Sequence, residues 1–267
     1  MERYRLKNII ILILVLVNVS LLSSLVYRKS EELGMLRRTE EELVALFAAS
    51  DVTLERSAIS WETPPAGVAM SRSTEREGEF ARSLLGEDCR ETSQGGISSY
   101  RSAAGSLQFR SGGSFDAVFA QSPEDAQNFC RDLCRSFSFE DPVFTLDESG
   151  TGTAVAVYQY EKRPVYNCTM TFLLTEGRLS AVSGTLLPAE GTLNAEEDLL
   201  SCAAALTAFQ QMRREEGTVG SSILSTYLCY ELQSTPSSPM SLGSAWCIVT
   251  DIASYYVNCS TGAITVG

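Results

Sequence analysis

The stretch Cys130-Arg-Asp-Leu-Cys134 holds two thiols four residues apart. On a helix that spacing sets both on one face, where a thiol pair could bind a soft metal or work as a redox couple. Their neighbours argue otherwise. Ala126, Phe129, Cys130, Leu133, Cys134 and Phe137 recur at helical spacing, so both thiols lie on an apolar stripe. Neither has a histidine or a Cys-x-x-Cys companion, and the pair reads as core. Cys168, Cys229 and Cys247 lie in strand-like runs among aromatic and aliphatic residues, which also places them inside. The eight cysteines (89, 130, 134, 168, 202, 229, 247, 259) allow many pairings and their spacing selects none. Disulfides and free buried thiols both fit.

The 267 residues include no histidine. That removes the commonest general base, the commonest zinc ligand and every Ser-His or Cys-His nucleophile pair. Carboxylates cluster at Glu40-Glu41-Glu42 and at Glu190, Glu196, Glu197 and Asp198, as paired acid–base groups would. Both clusters open helical segments, where the helix dipole and caps favour acids. The glycines at 95–96, 112–113 and 150–152 lack the sequence context that cradles a phosphate. Asn167-Cys-Thr and Asn258-Cys-Ser match the glycosylation acceptor pattern, the first within a strand and the second on a turn. No catalytic residue, metal ligand set, cofactor site or small-molecule substrate site emerges. The expectation is a protein that is not an enzyme and takes no cofactor.

The elements that carry these residues are legible from periodicity. Helices are expected over 30–50 (capping box Thr39 and Glu42), over 74–86 (Thr74 and Glu77, with Gly86 as the stop), from Ser122-Pro123 to Phe137, and from Asn194, with Glu197, to near Gly217. Strands are expected at 51–59, as short pieces through 95–119 with a hairpin at Gly112-Gly113, and as a meander of 153–161, 165–174 and 178–188. A last group comprises 222–233, 245–251 and 254–259, with a final "AITVG". Runs of strands with single intervening helices indicate an α+β class with antiparallel sheets, each packed by helices.

Residues 8–27, "NIIILILVLVNVSLLSSLVY", carry no charge. At about 1.5 Å rise per residue, about 20 residues span a hydrocarbon core of about 30 Å. Arg3, Arg5 and Lys7 favour a cytoplasmic N-terminus. A cleaved signal peptide competes with this anchor reading, but only Ser24 comes near the required small residue at a cleavage site. Either way the rest of the chain lies outside the cytoplasm. The expected organisation is a cytoplasmic tail (1–7), a transmembrane signal anchor (8–27), a first extracytoplasmic α+β subdomain (28–121) and a second α+β one (122–267). Beyond residue 29, sixteen basic residues face thirty-two acidic ones, a surface that repels nucleic acid, anionic lipid and anionic wall polymers.

The closing stretch "AWCIVTDIASYYVNCSTGAI" (245–264) resembles the last motif of YycI-like regulatory proteins and of PepSY-type modules. There a strand bearing Trp leads to a Tyr-Tyr-Val-Asn hairpin that ends in Thr-Gly. Here these are Trp246, Tyr255, Tyr256, Val257, Asn258, Thr261, Gly262 and Ile264. The basic tail, the span, the helix after it and the run "ILSTYLCYEL" after the 194–215 helix also resemble the YycI and YycH pattern. Ser244 stands where Pro is often found, and eight cysteines exceed what the family leads one to expect.

The resemblance implies a single-pass cell-membrane protein of a Gram-positive bacterium, in which both glycosylation patterns are coincidental. Such a protein modulates a sensor histidine kinase of the YycG/WalK two-component kind through contacts with the kinase and a YycH-like sister protein. The contact residues to expect are then in the span: Asn18, Ser20, Ser23 and Ser24, since small and polar residues favour helix association in lipid. The same residues are compatible with a plain anchor. The alternative is an exported PepSY-type binding or inhibitor module that acts on a protease or cell-wall enzyme through its sheet.

Overall fold

The computed structural model describes residues 17, 18, 21–23, 27, 31, 34–194, 198–217, 220–234 and 240–267. Alternation of apolar and polar residues builds fifteen strands among them, and these join into one branched sheet. In its first half, β3 (Arg90–Gln94), β4 (Ile97–Arg101), β5 (Gly105–Phe109) and β6 (Ser114–Phe119) form a meander. β6 then pairs with β10 (Arg178–Thr185), which continues through β9 (Arg163–Thr175) and β8 (Gly152–Tyr160) to β7 (Val143–Leu146). All these pairs are antiparallel. Helices α2 (Thr74–Leu85) and α3 (Ala126–Ser136) lay Phe80, Leu84, Cys130 and Cys134 against Phe109, Phe115, Met170 and Phe172. The Phe80 ring sits 4.8 Å from Phe115 and 4.9 Å from Phe137, in the tilted and edge-on arrangements that aromatic quadrupoles favour. The opposite face turns Val118, Val143, Val155 and Leu173 outward, each more than a third exposed.

In the second half, β12 (Ser222–Gln233), β13 (Met240–Thr250), β14 (Ser254–Asn258) and β15 (Ile264–Val266) pair in sequence order, all antiparallel. β13 also pairs with β2 (Val68–Met70), which holds β11 (Thr192–Leu193), while β1 (Thr53–Leu54) runs parallel to β12. One face is covered by α1 (34–48), the 3-10 turn Arg56–Ala58 and α4 (Cys202–Glu216). Phe47, Leu54, Leu206 and Phe209 pack there against Leu228, Trp246, Ile248 and Val257.

The halves meet where β12 lies parallel to β9, with Tyr230 opposite Val165. Residues 166–168 bulge out of the β8–β9 ladder, and the Asn167 side chain takes over the pairing. Its Oδ1 accepts from the Leu232 N–H at 2.7 Å and its Nδ2 donates to the Leu232 carbonyl at 2.9 Å. A side-chain amide thus copies the donor–acceptor pair of a strand residue.

The expected α+β class, with antiparallel sheets each packed by helices, is not what forms, and the expected N-terminal transmembrane helix has no counterpart among the described residues. One large mixed sheet dominates. Periodicity assigns each strand two faces but does not say which edges meet, and the joins β6 to β10, β13 to β2 and β12 to β9 are all made over long sequence separations. Among the described residues no helix is long and apolar enough to cross a membrane. Residues 8–16, 19, 20 and 24–26 of the expected span lie outside the described residues.

Three helix starts also move. Ser73, not Thr74, caps α2, its hydroxyl accepting from the Arg76 N–H at 3.2 Å. Asp125 caps α3 because the Ser122 hydroxyl is taken by the Leu179 N–H at 2.9 Å. Ser201 caps α4, while the Asn194 N–H donates to the Gly67 carbonyl at 2.8 Å. Glu197 lies outside the described residues. In the last two cases a tertiary bond claims the residue that the local pattern offers as a cap. The strand expected over 51–59 is reduced to β1 and the 3-10 turn.

Candidate functional site

The C-terminal motif occupies the middle of the second half-sheet, and strand alternation divides it between two faces. Trp246, Tyr255 and Val257 point toward α4. Trp246 is fully buried, and its Nε1–H donates to the Leu200 carbonyl at 2.8 Å, which ties the approach to α4 down onto β13. The Tyr255 ring meets Phe209 at 4.8 Å. Tyr256 points the other way and stacks on Tyr166 of β9, with centroids 3.7 Å apart and planes 6° from parallel.

Asn258 closes the hairpin. Its Oδ1 accepts from the N–H groups of Ser260 and Thr261, each at 3.0 Å, and its carbonyl accepts from the Gly262 N–H at 2.9 Å. Gly262 sits at φ 72°, a left-handed conformation that costs glycine nothing. The Asn258 Nδ2 donates to Glu231 Oε2 at 2.6 Å. Glu231 also accepts from the Tyr166 hydroxyl at 2.8 Å and from Gln233 Nε2 at 2.9 Å. Periodicity did not single out Tyr166, Tyr227 or Glu231. Only the fold brings Tyr166, from another strand group, over Tyr256.

Cys229, Ala245 and Cys247 form a small buried cluster packed against Tyr166 and Tyr256. Burial raises both thiols above their ordinary range, pushes the Tyr256 phenol up to about 12 and raises Tyr166 and Tyr227 as well. These groups stay protonated at neutral pH, so none offers a thiolate or phenolate for chemistry. Cys130 and Cys134 lie buried on the apolar side of α3, and burial pushes both up to about 12. All eight cysteines are free thiols, with Cys89 alone partly exposed. Among the described residues no group of three or more Cys, Asp or Glu could hold a metal ion.

Asn18 and Ser23 lie exposed on helical residues, and Ser20 and Ser24 are outside the described residues. Of the acidic clusters, Glu40 pairs with Arg56 at 3.4 Å, and Glu196 and Glu197 lie outside the described residues.

A concavity lies at the far end of the sheet. The β3–β4 hairpin turns through Gly95 and Gly96 at φ 61° and 81°, the two left-handed residues of a tight hairpin turn. Folding about that turn sets Gln94 opposite Ile97, Thr92 opposite Ser99 and Arg90 opposite Arg101, with Gln108 of β5 beside Ser99. These seven side chains line a groove of about 650 Å³. Arg90 and Arg101 are exposed, and among the described residues neither forms a salt bridge. Arg72 fixes the hairpin tip, donating to the Gly96 carbonyl at 2.6 Å and to Ser98 Oγ at 3.1 Å. Buried Glu77 holds Arg72 in turn, accepting bonds of 2.6 and 2.8 Å. The signal was present in "RETSQGGISSYR" (90–101), a Gly-Gly pair with an arginine five residues out on each side.

No protein-family model matches the chain, and no curated protein matches it. Among solved structures the chain is similar to an uncharacterized protein from Eubacterium rectale, at 12% identity and a TM-score of 0.41, over 80% of this chain and 85% of that one. It is also similar to the Bacillus megaterium YpeB C-terminal domain, at 12% identity and a TM-score of 0.39, over 74% of this chain and 98% of that one. Likenesses of this size carry no function across, and the YycI and YycH resemblance rests on the sequence alone.

Proposed function

We propose that the chain is an extracytoplasmic regulatory protein, anchored at the cell membrane, that tunes a sensor histidine kinase of the YycG/WalK kind by contact and performs no reaction of its own. The observation that carries the contact reading is the fate of the reactive side chains. Seven of the eight thiols are buried, and the motif residues bond one another in the hairpin and core. This supports reading the surface, rather than a reactive centre, as the functional part. The cytoplasmic N-terminus, the anchor over residues 8–27 and a YycH-like sister partner belong to the same proposal and draw on the sequence. Replacing residues 8–27 with an unrelated apolar segment of equal length should abolish control of kinase output at unchanged protein level. Unchanged control refutes contact through Asn18, Ser20, Ser23 and Ser24.

The outward apolar residues Val118, Val143, Val155 and Leu173 favour a second reading, an exported PepSY-type binding or inhibitor module that meets a protease or cell-wall enzyme through its sheet. A secreted chain without residues 1–29 that still restores function decides for it.

A further inference from the structure

We propose that the groove on β3, β4 and β5 receives an acidic, extended peptide segment of a partner protein, added as a strand beside β3 with a carboxylate over Arg90 and Arg101. This goes beyond the contact reading, because it names a surface and a partner chemistry and stands whether the partner is a kinase or a protease.

The first argument is charge. Like charges directly opposite in an antiparallel pair are destabilising, yet Arg90 and Arg101 face each other without a salt-bridge partner among the described residues. The chain carries 33 acidic residues, so a shortage of carboxylates does not explain it. Cross-strand Cβ atoms lie about 5 Å apart, which lets both guanidinium groups converge on one carboxylate, the anion their planar forks match. A net charge of −12 repels nucleic acid from the same site.

The second argument is the free edge. Among the described residues β3 ends the strand order with β4 as its one neighbour, and all five of its residues are exposed. One rim of its backbone donors and acceptors is therefore open to a further strand. Strand addition satisfies those groups, and side-chain alternation puts the residue opposite Arg90 on the groove face. Edge strands are usually guarded by charge. Here Arg90 is the one charged groove-face side chain of β3, with neutral Thr92 and Gln94 beside it and Glu91 on the opposite face, so on the groove side the guard selects an acidic strand instead of excluding every strand. The Gly95-Gly96 turn and the Arg72–Glu77 pair hold the hairpin in place beforehand, which lowers the ordering cost of binding.

The test uses the purified full chain and a fluorescein-labelled peptide of about ten residues alternating Glu and Thr, at about 50 mM salt to limit screening. Fluorescence polarisation should show binding, weakened at least about tenfold when Gln replaces Glu in the peptide, and by a similar factor in the Arg90→Gln/Arg101→Gln variant. That variant should unfold at or above the wild-type temperature, since a like-charge opposition is removed. Amide exchange at residues 90–94 should slow with peptide bound. The proposal is overturned by no binding of the Glu peptide, by equal binding to the variant, or by displacement with inorganic phosphate without slowed exchange, which marks a plain anion site. Kinase output plays no part in this test, so its failure and failure of the kinase reading are separate results.

Discussion

Glu77 is 3% exposed, and Arg72 meets its carboxylate through two short bonds, 2.6 and 2.8 Å. Substituting Arg72→Met keeps most of the packing stem but leaves the carboxylate inside without its cation. Removing one partner of a buried ion pair costs about 3–5 kcal/mol. The bonds from Arg72 to Gly96 and Ser98 are lost too, but 21% of the Arg72 side chain is exposed and water reaches part of the vacated space. The expected loss is therefore near the lower end, about 3 kcal/mol. At about 2–4 °C per kcal/mol for a chain of this size, the unfolding temperature should fall by about 6–12 °C. The Arg72→Met/Glu77→Leu variant removes the buried charge as well and should return to within about 1 kcal/mol of wild type. Urea unfolding followed by far-ultraviolet circular dichroism measures both. A loss below about 1 kcal/mol in the single variant, the range of exposed pairs, would refute the buried-pair reasoning. So would a double variant no more stable than the single one.

Two further outcomes follow from the motif and the thiols. Gly262→Ala places a Cβ at φ 72° with only ordinary contacts around it, so thermal unfolding should show a loss of about 1 kcal/mol from backbone strain and little else. Burial pushes the Cys130, Cys134, Cys168 and Cys259 thiols up to about 12, whereas in the unfolded chain they ionise at about 8.5. A folded value above the unfolded one means that this stabilisation is complete below pH about 8.5 and is lost as pH rises toward 12. Urea midpoints should then hold steady to about pH 8 and decline above about pH 9, with Cys89 alone alkylated in the native protein at neutral pH. Rapid native labelling of Cys130 or Cys134 contradicts this account.

Much of the architecture was legible locally. The helix faces of α2 and α3, the strands β8, β9, β10 and β12 and the Gly112-Gly113 hairpin all follow from period and turn chemistry, because those signals depend on neighbours a few residues away. The buried places of Cys130, Cys134, Cys229 and Cys247 follow from the same alternation. Even the Arg90–Arg101 opposition is implied by folding "RETSQGGISSYR" about its two glycines.

What the sequence alone determined, then, is which face each residue takes within its own element, together with the absence of histidine and the acidic charge balance. Tertiary structure alone decided which edges meet. It joined two would-be sheets through the Val165–Tyr230 register and the Asn167–Leu232 amide pair, and it brought Tyr166 of β9 over Tyr256 of β14. It also drew Ser122 and Asn194 away from helix starts into bonds with Leu179 and Gly67. The physical reason is range. A hydrogen bond or ring stack between residues 57 to 127 positions apart leaves no mark on the local pattern of either partner, whereas burial repeats every two or every three to four residues and is written along the chain.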